Sequence, residues 1–305
     1  MAEILLKVSA FVFIIILGAV LRRIGFFKES DFRLIAQIVF KVTLPCAVIS
    51  FFSKITVDFS YFWLIPLGII CNFIPIMYGW IAGLRGGKTV QAFNMINFSG
   101  YNIGCFTLPF IQSFIGPAGV VATCLFDAGN SVMCTGATYS IAKAAAGGKE
   151  GTTVRVFLKR MFSSFPMDIY IVMVLLAAFG LTVPKAVLSI TDVVGAANPF
   201  LAMLMIGVGF ELHLDRNSVL RVAGVLLCRY SMAAVLAWVF WNFAPFEAEV
   251  RKVLAVIAFA PVSAVCTIFT GMCFNDARLV ALSCTINSLS IVTSIACMTA
   301  LILVL

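Results

Sequence analysis

Long apolar runs, broken by short polar or basic stretches, fill the chain, and ten of them are long enough to be read as bilayer spans. A helix needs about 20 apolar residues to cross the hydrocarbon core. In the first half the runs cover residues 4–21, 32–52, 61–83, 90–115 and 118–142, and in the second 166–183, 193–212, 219–243, 253–274 and 277–305. Ten spans would bring both termini to one side. Five spans per half is an odd number, so the second half is expected to sit upside down relative to the first. The expected fold is therefore all-α: a polytopic membrane protein of ten helices in two inverted five-helix repeats, residues 1–143 and 166–305, joined by a linker at 144–165. The first run ends on Arg22 and Arg23 rather than a small-residue cleavage site, which is the signature of a span and not of a removable signal peptide.

Two of the runs carry a break. In the fourth it is Gly100-Tyr101-Asn102-Ile103-Gly104 with Pro109 beyond, and in the ninth Ala260-Pro261-Val262-Ser263. An offset of about 159 residues lays one break on the other, with Asn102 and Pro261 in one column. Irregular backbone at membrane depth is tolerated only where it is buried in protein or lines a cavity. A matched pair of interrupted helices in two halves is the best sequence pointer to a carrier's binding site. Gly100 and Gly104 let the backbone unwind, Pro109 removes a donor, and the half-helices left behind have N-terminal ends with partial positive charge. A small carboxylate could take hydrogen bonds there and from Asn97 and Asn102. A proline kink that only shapes packing is the plainer alternative.

Composition agrees with the pattern. Apolar residues make up 62% and charged residues 11% of the 305, and mean hydropathy is +1.11, more apolar surface than a soluble domain of this size could hide. The net charge of +8 does not indicate nucleic acid, because the basic residues flank spans, where they set topology and meet anionic lipid. Sixteen Lys and Arg fall on one side, counting Lys41, Lys143 and Arg229 as snorkelling there, against five on the other. This bias puts both termini outside and the linker in the cytoplasm of a cell that holds the protein in its inner or plasma membrane. In the linker Val154, Phe157, Leu158 and Met161 share one helical face, opposite Arg155, Lys159 and Arg160. Such a helix would lie on the inner membrane surface, as a hinge or as a plain stop-transfer loop.

Candidate chemistry is sparse. The ten cysteines are scattered singly inside spans, where they act as packing residues, and His213 is the only histidine, so neither a metal site nor a cofactor is expected. Asp127 lies near the centre of the fifth span with Asn130 one turn on. An ionisable group at that depth is a functional candidate by default. It could carry a coupling proton, or with Asn130, Thr123 or Asn287 ligate sodium, or serve as a structural carboxyl. Lys41, one turn before Pro45, could neutralise an anion, pair with Asp127 or snorkel. In the ninth span Ser263, Thr267 and Thr270 share a face beyond Pro261, and the tenth adds Thr285, Asn287, Ser288, Ser290, Thr293 and Ser294. Pro199 is the loose counterpart of Pro45.

These pieces together resemble the auxin efflux carrier family, which groups bacterial dicarboxylate permeases with plant auxin carriers. The resemblance spans nearly the whole chain. It rests on Leu21-Arg22-Arg23-Ile24-Gly25-Phe26-Phe27, Leu44-Pro45, Gly100-Tyr101-Asn102-Ile103-Gly104 with Leu108-Pro109, and Ala260-Pro261-Val262-Ser263. It implies a fold shared with bile acid:sodium symporters. Spans one, two, six and seven would form a scaffold, often homodimeric, and the other six a mobile transport domain with the fourth and ninth crossing at the substrate. With no long cytoplasmic loop, the chain resembles the bacterial branch. The resulting expectation is a secondary transporter for a small organic anion, a mono- or dicarboxylate, working by alternating access with proton or sodium coupling. Substrate would sit among Asn97, Gly100, Asn102, Gly104, Pro109, Asn130, Pro261, Ser263 and Asn287, with Asp127 and Lys41 serving coupling. A membrane ligand sensor on the same fold is the alternative. An intramembrane enzyme is not expected, because no paired aspartates, Ser–His pair or metal motif is present.

Overall fold

Helices are the only regular structure among the described residues of the computed structural model, which are 2–28, 30–56, 58–148, 165–212 and 216–305. Six of them are long and apolar enough to cross a membrane: Ala2–Arg23, Asp31–Phe52, Phe59–Ala82, Lys185–Val208, Ser218–Phe243 and Ala277–Val304. Large apolar side chains cover their outer faces, Phe13 being 63% and Leu227 73% exposed. Apolar surface on that scale belongs in lipid, and the chain is a helical membrane protein. Trp63 and Phe59 stand exposed where the third long helix begins, the place for interfacial aromatics. Asp58 caps that start by accepting from the Ser60 N–H at 2.7 Å, a bond that holds its carboxyl below the usual range.

Most of the remaining helices are short because they are interrupted. In chain order the helices are α1 (Ala2–Arg23), α2 (Asp31–Ile38), α3 (Leu44–Phe52), α4 (Leu64–Ala82), α5 (Gly87–Phe98), α6 (Leu108–Phe114), α7 (Pro117–Val132) and α8 (Thr138–Ala145). There follow α9 (Phe165–Ala178), α10 (Lys185–Ala196), α11 (Asn198–Val208), α12 (Arg216–Phe243), α13 (Ala248–Ala258), α14 (Val265–Phe274) and α15 (Ala277–Val304). Proline explains two of the joins. Pro45 and Pro109 lack an N–H and push away the carbonyl four residues back. In both places the chain widens into a π turn, Val39–Thr43 and Ile103–Thr107, and Leu44 and Leu108 donate to the carbonyls of Val39 and Ile103. A third π turn, Met133–Ala137, joins α7 to α8 around Gly136 at φ 149°.

Several predicted boundaries move. The sixth run ends at Ala178 rather than Val183, because Gly180 turns left-handed at φ 64° and Leu181 donates back to the Leu176 carbonyl. The seventh helix starts at Lys185, eight residues before the expected Val193, on the fixed φ of Pro184. It kinks at Ala197, where Asn198-Pro199 opens α11. The amphipathic stretch at 154–161 and His213 lie outside the described residues.

Close helix contacts arrange the set. Gly18 of α1 lies against Gly207 of α11, and a Cβ on Gly207 would fall 2.1 Å from the Ile15 carbonyl. Where the π turn before α3 meets the start of α11, Thr43 donates to the Asn198 amide oxygen at 3.0 Å, and Gln112 of α6 donates to the Gly195 carbonyl of α10 at 3.1 Å. On the other side, Gly68 of α4 and Gly129 of α7 meet so tightly that a Cβ on either would overlap the partner's backbone. Near-contact of small residues is how apolar helices associate without a hydrophobic drive between them. Of the interrupted helices, α13 is largely buried, whereas Ile268 and Met272 of α14 stand exposed.

Candidate functional site

The two breaks meet. After α5 the chain extends through Ser99–Asn102, after α13 through Phe259–Ser263, and the strands touch in one antiparallel bridge, Tyr101 with Val262. Asn102 N–H donates to the Pro261 carbonyl at 2.9 Å and Ser263 N–H to that of Gly100 at 3.3 Å. The bridge has a local two-fold character that relates Asn102 to Ser263 and Gly100 to Pro261, an offset of 161 residues. The expected column of Asn102 on Pro261 was therefore two residues out. Those two face each other across the bridge instead of being equivalents.

Side chains satisfy the bridge's main-chain groups that point away from it. Asn130 on α7 takes both groups of Tyr101, accepting from its N–H at 3.2 Å and donating to its carbonyl at 2.9 Å. On the other side two residues of α15 share the task. Ser290 accepts from the Val262 N–H at 2.9 Å and Asn287 donates to the Val262 carbonyl at 2.6 Å. Asn72 on α4 accepts from the Gly100 N–H at 3.0 Å. Tyr230 on α12 donates to the Ser290 carbonyl at 2.6 Å and pairs with Ser294, which donates to the Phe259 carbonyl. The main-chain groups of Tyr101 and Val262 and the Gly100 N–H thus keep partners although the backbone is unwound.

Arg229, expected to snorkel to the membrane surface, does the opposite. It sits at mid-length of α12 and is 2% exposed. Its guanidinium donates to the carbonyls of Phe98, Ser99 (3.4 Å) and Gly100 (3.0 Å) from one break, and of Ala260 (3.0 Å) and Pro261 (3.3 Å) from the other. A stem that starts fourteen residues into a 28-residue helix is too deep to reach either surface. Inward lie two helix C-termini with carbonyls to spare.

Beyond the bridge a cavity of about 650 Å³ opens. The starts of both second half-helices border it, Ile103 to Cys105 on one side and Ala264 with Val265 on the other. Asn102, Gly104, Asn130, Ser263 and Asn287 line it, as do Asp127 and Lys41. Four expected site residues do not. Asn97 is held in packing by Thr270 at 3.3 Å and Ser283 at 2.6 Å, while Gly100, Pro109 and Pro261 shape backbone away from the wall. Thr267 lines the cavity, but Thr270 is fully buried against Asn97, so the expected row of hydroxyls does not face one space.

Asp127 is 6% exposed, and both of its oxygens are engaged. Asn130 donates to one at 2.9 Å and the Tyr170 hydroxyl to the other at 2.9 Å. A Cβ on Gly104 would stand 3.6 Å from the second oxygen, so the carboxyl abuts the start of the half-helix. Thr123 donates into its own helix, to the Gly119 carbonyl, and gives nothing to this group. Lys41 is exposed to the cavity and, among the described residues, makes no ion pair with Asp127. The cavity reaches Phe165 and Glu211 at helix ends, where Glu211 pairs with Arg22 at 2.6 Å.

Asn72, Tyr170 and Arg229 were missed as site residues. A polar or charged residue at the middle of a span was the available signal for Asn72 and Arg229. Tyr170 sits near the start of its span and carried none. Compared with protein-family models and with curated proteins, the chain matches none.

Proposed function

We propose that the protein is a secondary transporter that carries a small organic anion, a mono- or dicarboxylate, by alternating access. The observation that carries this reading is the bridge of two interrupted helices whose positive ends border one cavity, mostly apolar, with a few polar groups placed beside the bridge. First-turn N–H groups lack intrahelical partners and favour anions. The Asn102, Asn130 and Asn287 amides and the Ser263 hydroxyl add neutral groups at its wall. The same features underlie the resemblance to the auxin efflux carrier family, with ten crossings in two inverted halves and both termini outside. Three of the ten would be the interrupted helices α5–α6, α7–α8 and α13–α14, and a fourth the short α9. In that reading α1, α2–α3, α9 and α10–α11 form the scaffold, on which two copies would associate, and the remaining helices move against it.

Asp127 serves coupling in this scheme, and the donor set favours a proton over sodium. Its carboxylate oxygens already accept from Asn130 and Tyr170, the Asn130 oxygen accepts from Tyr101 and Asn72, and the Thr123 hydroxyl is turned away. Few oxygens are left for a cation that wants about six. A charged Asp127 would repel an anion about 6 Å away by roughly 3 kcal/mol at an effective dielectric near 20. Protonation removes that repulsion, so anion and proton would enter together.

Counterflow of labelled malate or malonate in proteoliposomes tests the proposal. Saturable exchange that rises with an inward proton gradient and ignores sodium is the expected result. Binding without exchange would make the protein a sensor, and a non-saturating current would make it a channel.

A further inference from the structure

The carbonyls around Arg229 form a site in their own right. Five main-chain oxygens from two separate helix ends converge on one guanidinium. Each helix C-terminus carries the equivalent of about half a negative charge, so two together match one cation. Among the described residues no carboxylate pairs with Arg229, and besides the carbonyls its neighbours include the Tyr101 ring, 5.2 Å away, and the Cys266 thiol. Cancelling a buried charge with main-chain dipoles alone is uncommon, because an unpaired ion in apolar surroundings is so costly. Here it is feasible because both helices stop at the same point.

We propose that this cluster is a cation-binding cage, filled by the chain's own guanidinium, that clamps the two interrupted helices to each other. Arg229 is a positioning residue: it reaches the first break through Phe98, Ser99 and Gly100 and the second through Ala260 and Pro261. The planar fork matters as well as the charge, since five oxygens in two groups need donors fixed in two directions. Neutralising the negative helix ends also leaves the positive ends to set the potential of the cavity. That last consequence rests on the anion-carrier reading, whereas the cage stands on geometry alone.

The experiment is chemical rescue of purified, full-length Arg229→Ala. Its melting temperature should fall well below that of the native chain. Millimolar ethylguanidinium, which replaces the side-chain atoms beyond Cβ, should raise it saturably while leaving the native protein unmoved, and equal sodium chloride should not. Equal effects of ethylguanidinium on both proteins, or none on either, would overturn the cage. Should Arg229→Ala fail to fold, Arg229→Lys and Arg229→Gln decide the matter. The lysine variant, which keeps the charge, should melt clearly above the glutamine variant, and equal melting would overturn the proposal. Because these readouts need no substrate, they can succeed or fail independently of counterflow.

Discussion

Asn130 is the residue on which most of the site converges, and its energetics can be stated. Its one amide serves the Tyr101 N–H, the Tyr101 carbonyl, Asn72 and Asp127. Replacing it by leucine leaves the buried Tyr101 N–H and one Asp127 oxygen without partners at about 1–3 kcal/mol each, while the Tyr101 carbonyl keeps the Ile103 N–H. Asn130→Leu should therefore lose roughly 2–6 kcal/mol of stability, read as a lowered melting temperature in detergent. Asp127→Asn keeps the shape and two partners, so folding should persist while the dependence of uptake on pH disappears. Unchanged pH dependence in that variant would remove Asp127 from coupling. Asn102→Ala and Ser263→Ala each delete one group from the cavity wall. If that group bonds a bound carboxylate, exchange at low substrate should drop about 10-fold or more. Asp127 and Asn130 were readable in the sequence, being polar, one turn apart and deep in an apolar run. Their partner Tyr170 was not, since 43 residues and a whole linker separate it from Asp127.

At the scale of the element, proline and glycine carry the information. Leu44-Pro45 and Leu108-Pro109 produce the same π turn because the missing N–H and the displaced carbonyl are local effects. The break at Gly100, with φ 73°, was likewise legible from the cluster around Asn102. Glycines inside regular helices say less, since only the neighbour decides their role. Gly129 faces the Ile65 carbonyl, which a Cβ would approach to 1.9 Å, whereas Gly224 has nothing within 4 Å. Gly129→Ala should destabilise by about 1–3 kcal/mol through overpacking. Gly224→Ala should be neutral or stabilising by up to about 1 kcal/mol, because it only improves helix propensity. Thermal melts of the two variants side by side check both; a silent Gly129→Ala would mean that α4 and α7 are not in contact.

The cavity wall includes Phe165, where the central linker ends, and Glu211. On the proposed topology the Lys and Arg bias would put that linker in the cytoplasm, even with Arg229 taken out of the count. The conformation would then face inward. Cys284 lines the cavity and is partly exposed, so it reports on this directly. In a variant that keeps Cys284 alone, a membrane-impermeant maleimide should label from the cytoplasmic side, and a bound carboxylate should slow the reaction. Labelling from the outside only would reverse the orientation.

Membrane residence and the breaks at Gly100–Gly104 and at Pro261 were determined by the sequence, whereas the break at Gly136 was not read there. Each depends on local chemistry: the length of an apolar run, a missing N–H, a residue able to take positive φ. Tertiary structure alone decided that the two failures meet, that Tyr101 pairs with Val262, and which polar residues line a cavity rather than fill a packing gap. It also turned Arg229 from a presumed surface anchor into the link between both breaks. A charge on an apolar helix can be satisfied by water at the surface or by carbonyls within, and a chain read residue by residue does not show where another helix ends.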